Sequence, residues 1–182
     1  MESKLFTPVT FGPLTLRNRT IRSAAFESMC PGNAPSDMLL DYHRSVAAGV
    51  IGMTTVAYAA VTQSGLSFDR QLWMRPEIIP GLRRLTDAIH AEGAAAGIQL
   101  GHCGNMSHKS ICGCMPVGAS SGFNLYSPTF VRGLRADELP EMARAYGRSV
   151  NLAREAGFDS VEIHAGHGYL ISQFLSPSTN HR

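Results

Sequence analysis

No stretch of the 182-residue chain stays apolar long enough to span a bilayer. The opening Met-Glu-Ser-Lys-Leu-Phe lacks the apolar core of a secretory signal, so the expected compartment is the cytoplasm. No block of like charges occurs, and the formal net charge is +2, so nucleic acid and anionic membrane surfaces are not expected partners. Only four cysteines are present, Cys30, Cys103, Cys112 and Cys114. In a cytosolic chain of this size they read as free thiols rather than a disulfide framework. No G-x-G-x-x-G follows the first strand-like run, which argues against an open dinucleotide-binding sheet. What is there is a globular composition, 44% apolar and 16% charged, in one expected domain over residues 1–182.

Two short apolar runs flank Gly12-Pro13 between Leu5 and Leu16 and predict a hairpin, with Phe6, Val9 and Phe11 on one side. A weak strand follows at Thr20–Phe26. Ser36 predicts an N-cap for a helix over Asp37–Ala48, stopped by Gly49. Ile51–Tyr58 reads as a buried strand and 59–74 as a loop. A helix begins near Pro80 and ends at Gly93, and Ala96–Leu100 is the next strand. Residues 101–136, rich in Gly, Ser, Pro and Cys, predict a long functional loop. Leu139–Ala156 is the clearest helix, with Met142, Tyr146, Ser149 and Ala153 on one face and Gly157 after it. Ser160–His164 is a strand, and Tyr169–Leu175 opens another helix. Three times a glycine closes a helix just before an apolar strand, which predicts a parallel sheet with helical crossovers. The expected fold class is α/β, the first half of a (β/α)8 TIM barrel of about four βα units with an N-terminal β-hairpin cap.

In such folds ligands collect at the carboxyl ends of the strands. The fourth strand ends in His164-Ala165-Gly166-His167-Gly168-Tyr169. Two imidazoles and a phenol there can face one point: imidazole N–H groups suit a carbonyl or enolate oxygen, and a tyrosine suits proton donation. Gln99, near the end of the third strand, offers both donor and acceptor to an amide edge such as a flavin pyrimidine ring. Each residue also has a plain structural reading, a strand-end histidine or glutamine that satisfies backbone groups. A zinc site from His102, Cys103, His108, Cys112 and Cys114 is an alternative, weakened by the tight Cys112-Gly113-Cys114 spacing.

The segments Leu5-Phe6-Thr7-Pro8, Leu16-Arg17-Asn18-Arg19, Gly97-Ile98-Gln99-Leu100-Gly101-His102, Glu162 to Leu170 and Gln173-Phe174-Leu175-Ser176-Pro177 resemble the Old Yellow Enzyme family in order and spacing. That resemblance implies an FMN-dependent NAD(P)H:flavin oxidoreductase or ene-reductase built on an eight-stranded barrel. Hydride passes from NADH or NADPH to flavin and then to the β-carbon of an α,β-unsaturated carbonyl compound. By position it makes His164 and His167 the pair that holds the substrate carbonyl, and Tyr169 the proton donor. It assigns Ser23, Ala24, Ala25, Phe26, Tyr58 and Gln99 to the flavin, and no metal. Phe26 closes a run where relatives often carry a redox-tuning cysteine, Ser28 stands for a substrate-contacting tyrosine, Tyr58 replaces a small residue, and Asn105 replaces an arginine. Strands five to eight, which in the family carry the flavin phosphate contacts, lie beyond Arg182. The expectation is therefore a chain with weak or absent FMN binding that forms a homodimer, pairs with a complementary half-barrel, or is an inactive half-barrel fragment.

Overall fold

The structure, a computed structural model, describes residues 3–182; Met1 and Glu2, the first two of the expected domain, lie outside the described residues. The hairpin is present as β1 (Val9–Phe11) and β2 (Leu14–Leu16), antiparallel across Gly12, whose φ of +56° suits a residue without a Cβ. Phe6 is not part of it. It closes a single 3-10 turn over Lys4–Phe6 and is exposed.

β3 (Ile21–Arg22), β4 (Met53–Ala60), β5 (Ala95–Gly101) and β9 (Ser160–Ile163) form one parallel sheet in that order. The helices α1 (Asp37–Ala48), α2 (Ile79–Ala91) and α4 (Leu139–Glu155) connect them. This is the strand-helix alternation of half a barrel. Along β5, Ala96, Ile98 and Leu100 point into the apolar layer against the helices, where they meet Leu39, Leu82, Leu85, Ile89 and Ala153. Gly97, Gln99 and Gly101 therefore face the other way, toward the barrel interior.

α1 starts as predicted, with the Ser36 side chain accepting from the Leu39 N–H at 3.2 Å. Its end differs from expectation. Gly49 keeps φ −71°, and the left-handed position passes to Val50 at φ +64°. Gly93 and Gly157, at φ +75° and +90°, terminate their helices as predicted.

Arg17 seals the base. Its guanidinium donates to the carbonyls of Ile51 (2.9 Å), Glu92 (2.7 Å) and Ala47 (2.7 Å), which ties the hairpin to the ends of two helices and the start of β4. Asn18 adds a bond to the Val50 carbonyl at 2.6 Å.

The expected loop over 101–136 is more ordered than predicted. It holds α3 (Lys109–Cys112) and a small sheet of β6 (Val117–Gly118), β7 (Gly122–Asn124) and β8 (Thr129–Gly133). Its strands are two to five residues long, too short for alternation to show in the sequence. α5 (Leu170–Leu175) follows β9. No helix among the described residues is long and apolar enough to cross a membrane.

Candidate active site

The residue that follows β9 is tied to the end of β5, as the His164 N–H donates to the Leu100 carbonyl at 2.8 Å. His164 is thereby held at the carboxyl end of the sheet, buried, on the interior side. The chain then turns through two consecutive left-handed residues, His167 at φ +56° and Gly168 at +67°. A glycine adopts that conformation freely; a histidine there is uncommon and costs about 1 kcal/mol. The turn folds His167 back so that its Nδ1 lies 3.1 Å from His164 Nε2. The Tyr169 ring lies 4.8 Å from the His164 ring, centroid to centroid. The three predicted residues are thus brought together.

The hydrogen bonds define the proton positions. His164 Nδ1 accepts from the Gly166 N–H at 3.2 Å, so the neutral ring carries its proton on Nε2 and donates it to His167 Nδ1. His167 then bears its own proton on Nε2, directed away from the pair. Burial, and next the neighbouring His167, hold His164 below the usual imidazole range, against a smaller opposing pull from Glu162. Among the described residues the Tyr169 hydroxyl donates to no protein acceptor, so it too is free for a ligand.

Tyr58 lies inside β4, which runs two residues past the predicted strand end to Ala60. The pairing of β4 with β5 shifts between Val56 and Ala59, where two β4 residues stand opposite Gln99 alone. This bulge swings the Tyr58 ring to the interior, 5.7 Å from His164 and 5.4 Å from Tyr169. A Cβ on Gly101 would come within 2.9 Å of that ring, so glycine is required there. The phenol bonds to Ser67 Oγ at 2.8 Å and the Gly65 carbonyl at 3.3 Å. Burial drives its pKa far above the ordinary phenol value, so it stays protonated. Its side chain supports the histidine cluster from beneath, and only its neighbourhood, not its hydroxyl, is open.

Gln99 stands on the same interior face, paired in register with Glu162, and donates to the Glu162 carboxylate at 2.6 Å. Ser23, Ala24, Ala25 and Phe26 run along the strand-end rim as a separate group. Arg22 donates to the Ala25 carbonyl at 3.3 Å, and Phe26 stacks on Phe68 at 4.5 Å. A buried ion pair, Arg22 to Glu27 at 2.9 Å, anchors this rim, and Glu27 also accepts from the Ala57 N–H at 3.3 Å.

Sequence reasoning assigned no role to Gln173. It is buried on α5, and its amide nitrogen reaches the carbonyls of Gly168 (2.7 Å) and Cys103 (3.2 Å) and Asn105 Oδ1 (2.9 Å). Its oxygen accepts from the Asn105 N–H at 3.2 Å. It therefore pins the β9 turn to the loop after β5. Its place in the Gln173-Phe174-Leu175-Ser176-Pro177 block was the one available signal.

The zinc alternative fails on geometry. His102 spends Nδ1 on the Gly104 N–H (2.9 Å) and Nε2 on Ser64 (3.1 Å), Cys103 donates to the Leu66 carbonyl, and His108 pairs with Ser127 at 2.6 Å. Among the described residues no group of three or more His, Cys, Asp or Glu side chains converges.

A cavity of about 530 Å³ opens beside the histidines, lined by His167, Gly168, Asn105, Phe123, Leu125 and Tyr126. Leu125 and Tyr126, at the tip of the β7–β8 hairpin, are 82% and 94% exposed and form its apolar rim.

Residues 4–182 match the NADH:flavin oxidoreductase / NADH oxidase family. The chain is 42% identical over 178 residues to the 4,4'-dithiodibutanoate disulfide reductase of Rhodococcus erythropolis, a match covering 98% of this chain and 44% of that protein. It is 35% identical over 187 residues to an NADPH dehydrogenase of Bacillus subtilis, covering 100% of this chain and 54% of the other. Among solved structures it superposes on the old yellow enzyme homologue of Zymomonas mobilis with a TM-score of 0.91 at 29% identity, covering 99% and 53% of the two chains. Morphinone reductase in complex with tetrahydroNAD gives a TM-score of 0.90 at 27% identity, covering 100% and 54%. The chain spans about half the length of these relatives.

Proposed function

The chain belongs to the NADH:flavin oxidoreductase / NADH oxidase family, and we propose that it carries the acceptor-binding and proton-donating half of an FMN-dependent reductase. The observation that carries this reading is the cluster at the end of β9, where His164, His167 and Tyr169 pack together, the second imidazole N–H of His167 and the Tyr169 O–H meet no protein acceptor among the described residues, and His167 lines the adjoining cavity.

The residues fit a flavin ring. Gln99 gives one amide N–H to Glu162 and keeps its amide oxygen and second N–H for the pyrimidine edge of an isoalloxazine. Ser23 and Ala25 are exposed on the rim and small enough to let a flat ring approach their backbone. Bound FMN would supply a two-electron carrier between a nicotinamide donor, NADH or NADPH, and the acceptor.

The acceptor we assign is an activated alkene, an α,β-unsaturated carbonyl compound. His167 Nε2–H donates to its carbonyl oxygen and stabilises the negative charge that grows there as hydride reaches the β-carbon. His164 holds His167 in the tautomer that makes this donation. Tyr169 delivers its hydroxyl proton to the α-carbon and recovers one from water. The balance is one hydride and one proton added across the double bond. Leu125, Tyr126 and Phe123 line the same cavity as His167 and offer an apolar surface to the acceptor's hydrocarbon part.

Titration of the full chain with FMN, followed by quenching of flavin fluorescence with size-exclusion chromatography alongside, tests cofactor binding; an unchanged emission at saturating chain sinks the flavin assignment. With FMN bound, Tyr169→Phe should slow reduction of cyclohexenone by about 10²–10⁴-fold and leave flavin reduction by NAD(P)H near wild type. An equal fall in both rates would remove Tyr169 as the acid.

A further inference from the structure

Away from the histidine cluster, one pair of nucleophiles remains unused. α3 ends at Cys112, Gly113 turns left-handed at φ +72°, and Cys114 follows. The turn brings the two thiols side by side, with 3.8 Å between the sulfur atoms. Cys112 is buried and its thiol donates to the Cys114 carbonyl at 3.2 Å, whereas Cys114 is exposed.

Two residues of separation hold the two Cα atoms within about 7 Å, and a left-handed glycine bends them closer, into the range a disulfide spans. Closing the sulfurs from 3.8 Å to a bond of about 2.05 Å needs side-chain rotation rather than a refolded backbone.

Cys114 opens into a cleft of about 540 Å³ that shares no lining residue with His164, His167 or Tyr169. The charged groups facing it, Arg132, Arg135, Asp137, Glu138, Glu141 and Arg148, are paired with one another and cancel. The rest of the lining, including Met115, Leu134 and Met142, is largely apolar. Such a cleft admits a small aliphatic disulfide and does not select for charge.

We propose that Cys112 and Cys114 form a redox-active dithiol that exchanges with low-molecular-weight aliphatic disulfides and closes to an internal Cys112–Cys114 disulfide. The Cys114 thiolate attacks one sulfur of the disulfide RSSR. That S–S bond breaks, one RS⁻ leaves and takes up the proton Cys114 gave to solvent, and a mixed disulfide stands on Cys114. Cys112 loses its proton and attacks the Cys114 sulfur, expelling the second RSH. The protein loses two protons and two electrons, and RSSR gains them as two RSH.

Exposure makes Cys114 the attacking thiol and burial makes Cys112 the resolving one. Partial desolvation of its sulfur, then Cys112, push the Cys114 thiol up to about 11, with Arg132 pulling the other way. The thiolate is thus a small fraction at neutral pH, and exchange accelerates about tenfold per pH unit toward pH 9. Cys30 and Cys103 are buried, each pushed up to about 12 chiefly by that burial, and serve as inert internal controls.

The test incubates the full native chain with bis(hydroxyethyl) disulfide, blocks remaining thiols with N-ethylmaleimide after denaturation, and maps the peptides by mass. Wild type should show a transient hydroxyethylthio adduct on Cys114, then loss of two hydrogens from the peptide holding Cys112 and Cys114, with Cys30 and Cys103 alkylated. Cys112→Ser should stop at the stable adduct, and Cys114→Ser should not react. Retention of all four thiols in wild type, or a lasting adduct with no internal disulfide, overturns the proposal. Reaction of Cys114→Ser at Cys112 overturns it as well. The wild-type time course decides the question even where a variant fails to fold.

Discussion

Replacing Gln173 by Leu tests whether the site is held by the staple between its two loops. In the native chain the Gln173 amide meets Gly168 O at 2.7 Å, Cys103 O at 3.2 Å, Asn105 Oδ1 at 2.9 Å and the Asn105 N–H at 3.2 Å, with the side chain 2% exposed. A buried hydrogen bond contributes about 1 kcal/mol net, and a partner left unsatisfied costs about 1–3 kcal/mol. The four contacts together lose about 4 kcal/mol, and the leucine recovers about 1–2 kcal/mol by burying apolar surface in a nearly isosteric volume. The expected net loss is therefore about 2–3 kcal/mol, a large fraction of the ~5–15 kcal/mol typical of a domain. Urea unfolding of the full chain, followed by circular dichroism, reads it as a lowered midpoint at unchanged slope. Gln173→Glu should lose at least as much at neutral pH, because a carboxylate would face the Gly168 and Cys103 carbonyls. If either variant unfolded within about 0.5 kcal/mol of wild type, the stapling argument would be refuted.

Val50→Gly should stabilise the chain by about 1 kcal/mol, because a β-branched residue pays for φ +64° while its side chain, 60% exposed, buries little; a lowered urea midpoint contradicts this. Arg17→Lys keeps the charge but cannot span three carbonyls, and should cost about 2–4 kcal/mol in the same assay; a loss below ~1 kcal/mol counts against the base seal. Burial pushes His102 down to about 4, so between about pH 6.5 and pH 4 the unfolded chain binds a proton there that the folded chain refuses, and burial lowers His164 in the same sense. Stability is then level above about pH 6.5 and falls as pH drops, by about 1.4 kcal/mol per unit from His102 down to about pH 4, with His164 adding to the loss in the same direction. His102→Gln should flatten part of that slope, and a wild-type midpoint independent of pH between 7 and 5 would contradict the assignment.

The fold was legible wherever the cause is local. Ser36 caps α1 because its oxygen meets the Leu39 N–H three residues on, and the helix bounds over Asp37–Ala48 agree with expectation for that reason. Gly93 and Gly157 were readable as stops because the left-handed position needs only the residue itself. Gly49 misled, since tertiary contacts of its successor, with Asn18 holding the Val50 carbonyl, moved the left-handed turn one position on. The β6–β8–β7 sheet was not legible because its order depends on pairings between strands of a few residues, which no period within any one of them records. The Tyr58 bulge has the same origin: it exists only as a mismatch of β4 against β5.

The site residues were legible as a set but not as a mechanism. His164, His167 and Tyr169 stand together in the sequence, and their spacing suggests two imidazoles aimed at one oxygen. The left-handed backbone at His167 makes a different arrangement, because it returns His167 Nδ1 to His164 Nε2 and commits the His164 proton to its neighbour. The outward donor is then His167 alone, oriented and fixed in tautomer by His164, whose own orientation rests on the Gly166 N–H. A ligand oxygen that engaged both imidazoles would have to break the 3.1 Å bond between them, so on the function proposed above the acceptor is held by one imidazole and approached by the Tyr169 hydroxyl. The strained histidine gives the reason for the turn. A glycine at residue 167 would relax the backbone and remove the imidazole that lines the cavity, so on the function proposed above the local cost of φ +56° is offset by acceptor binding.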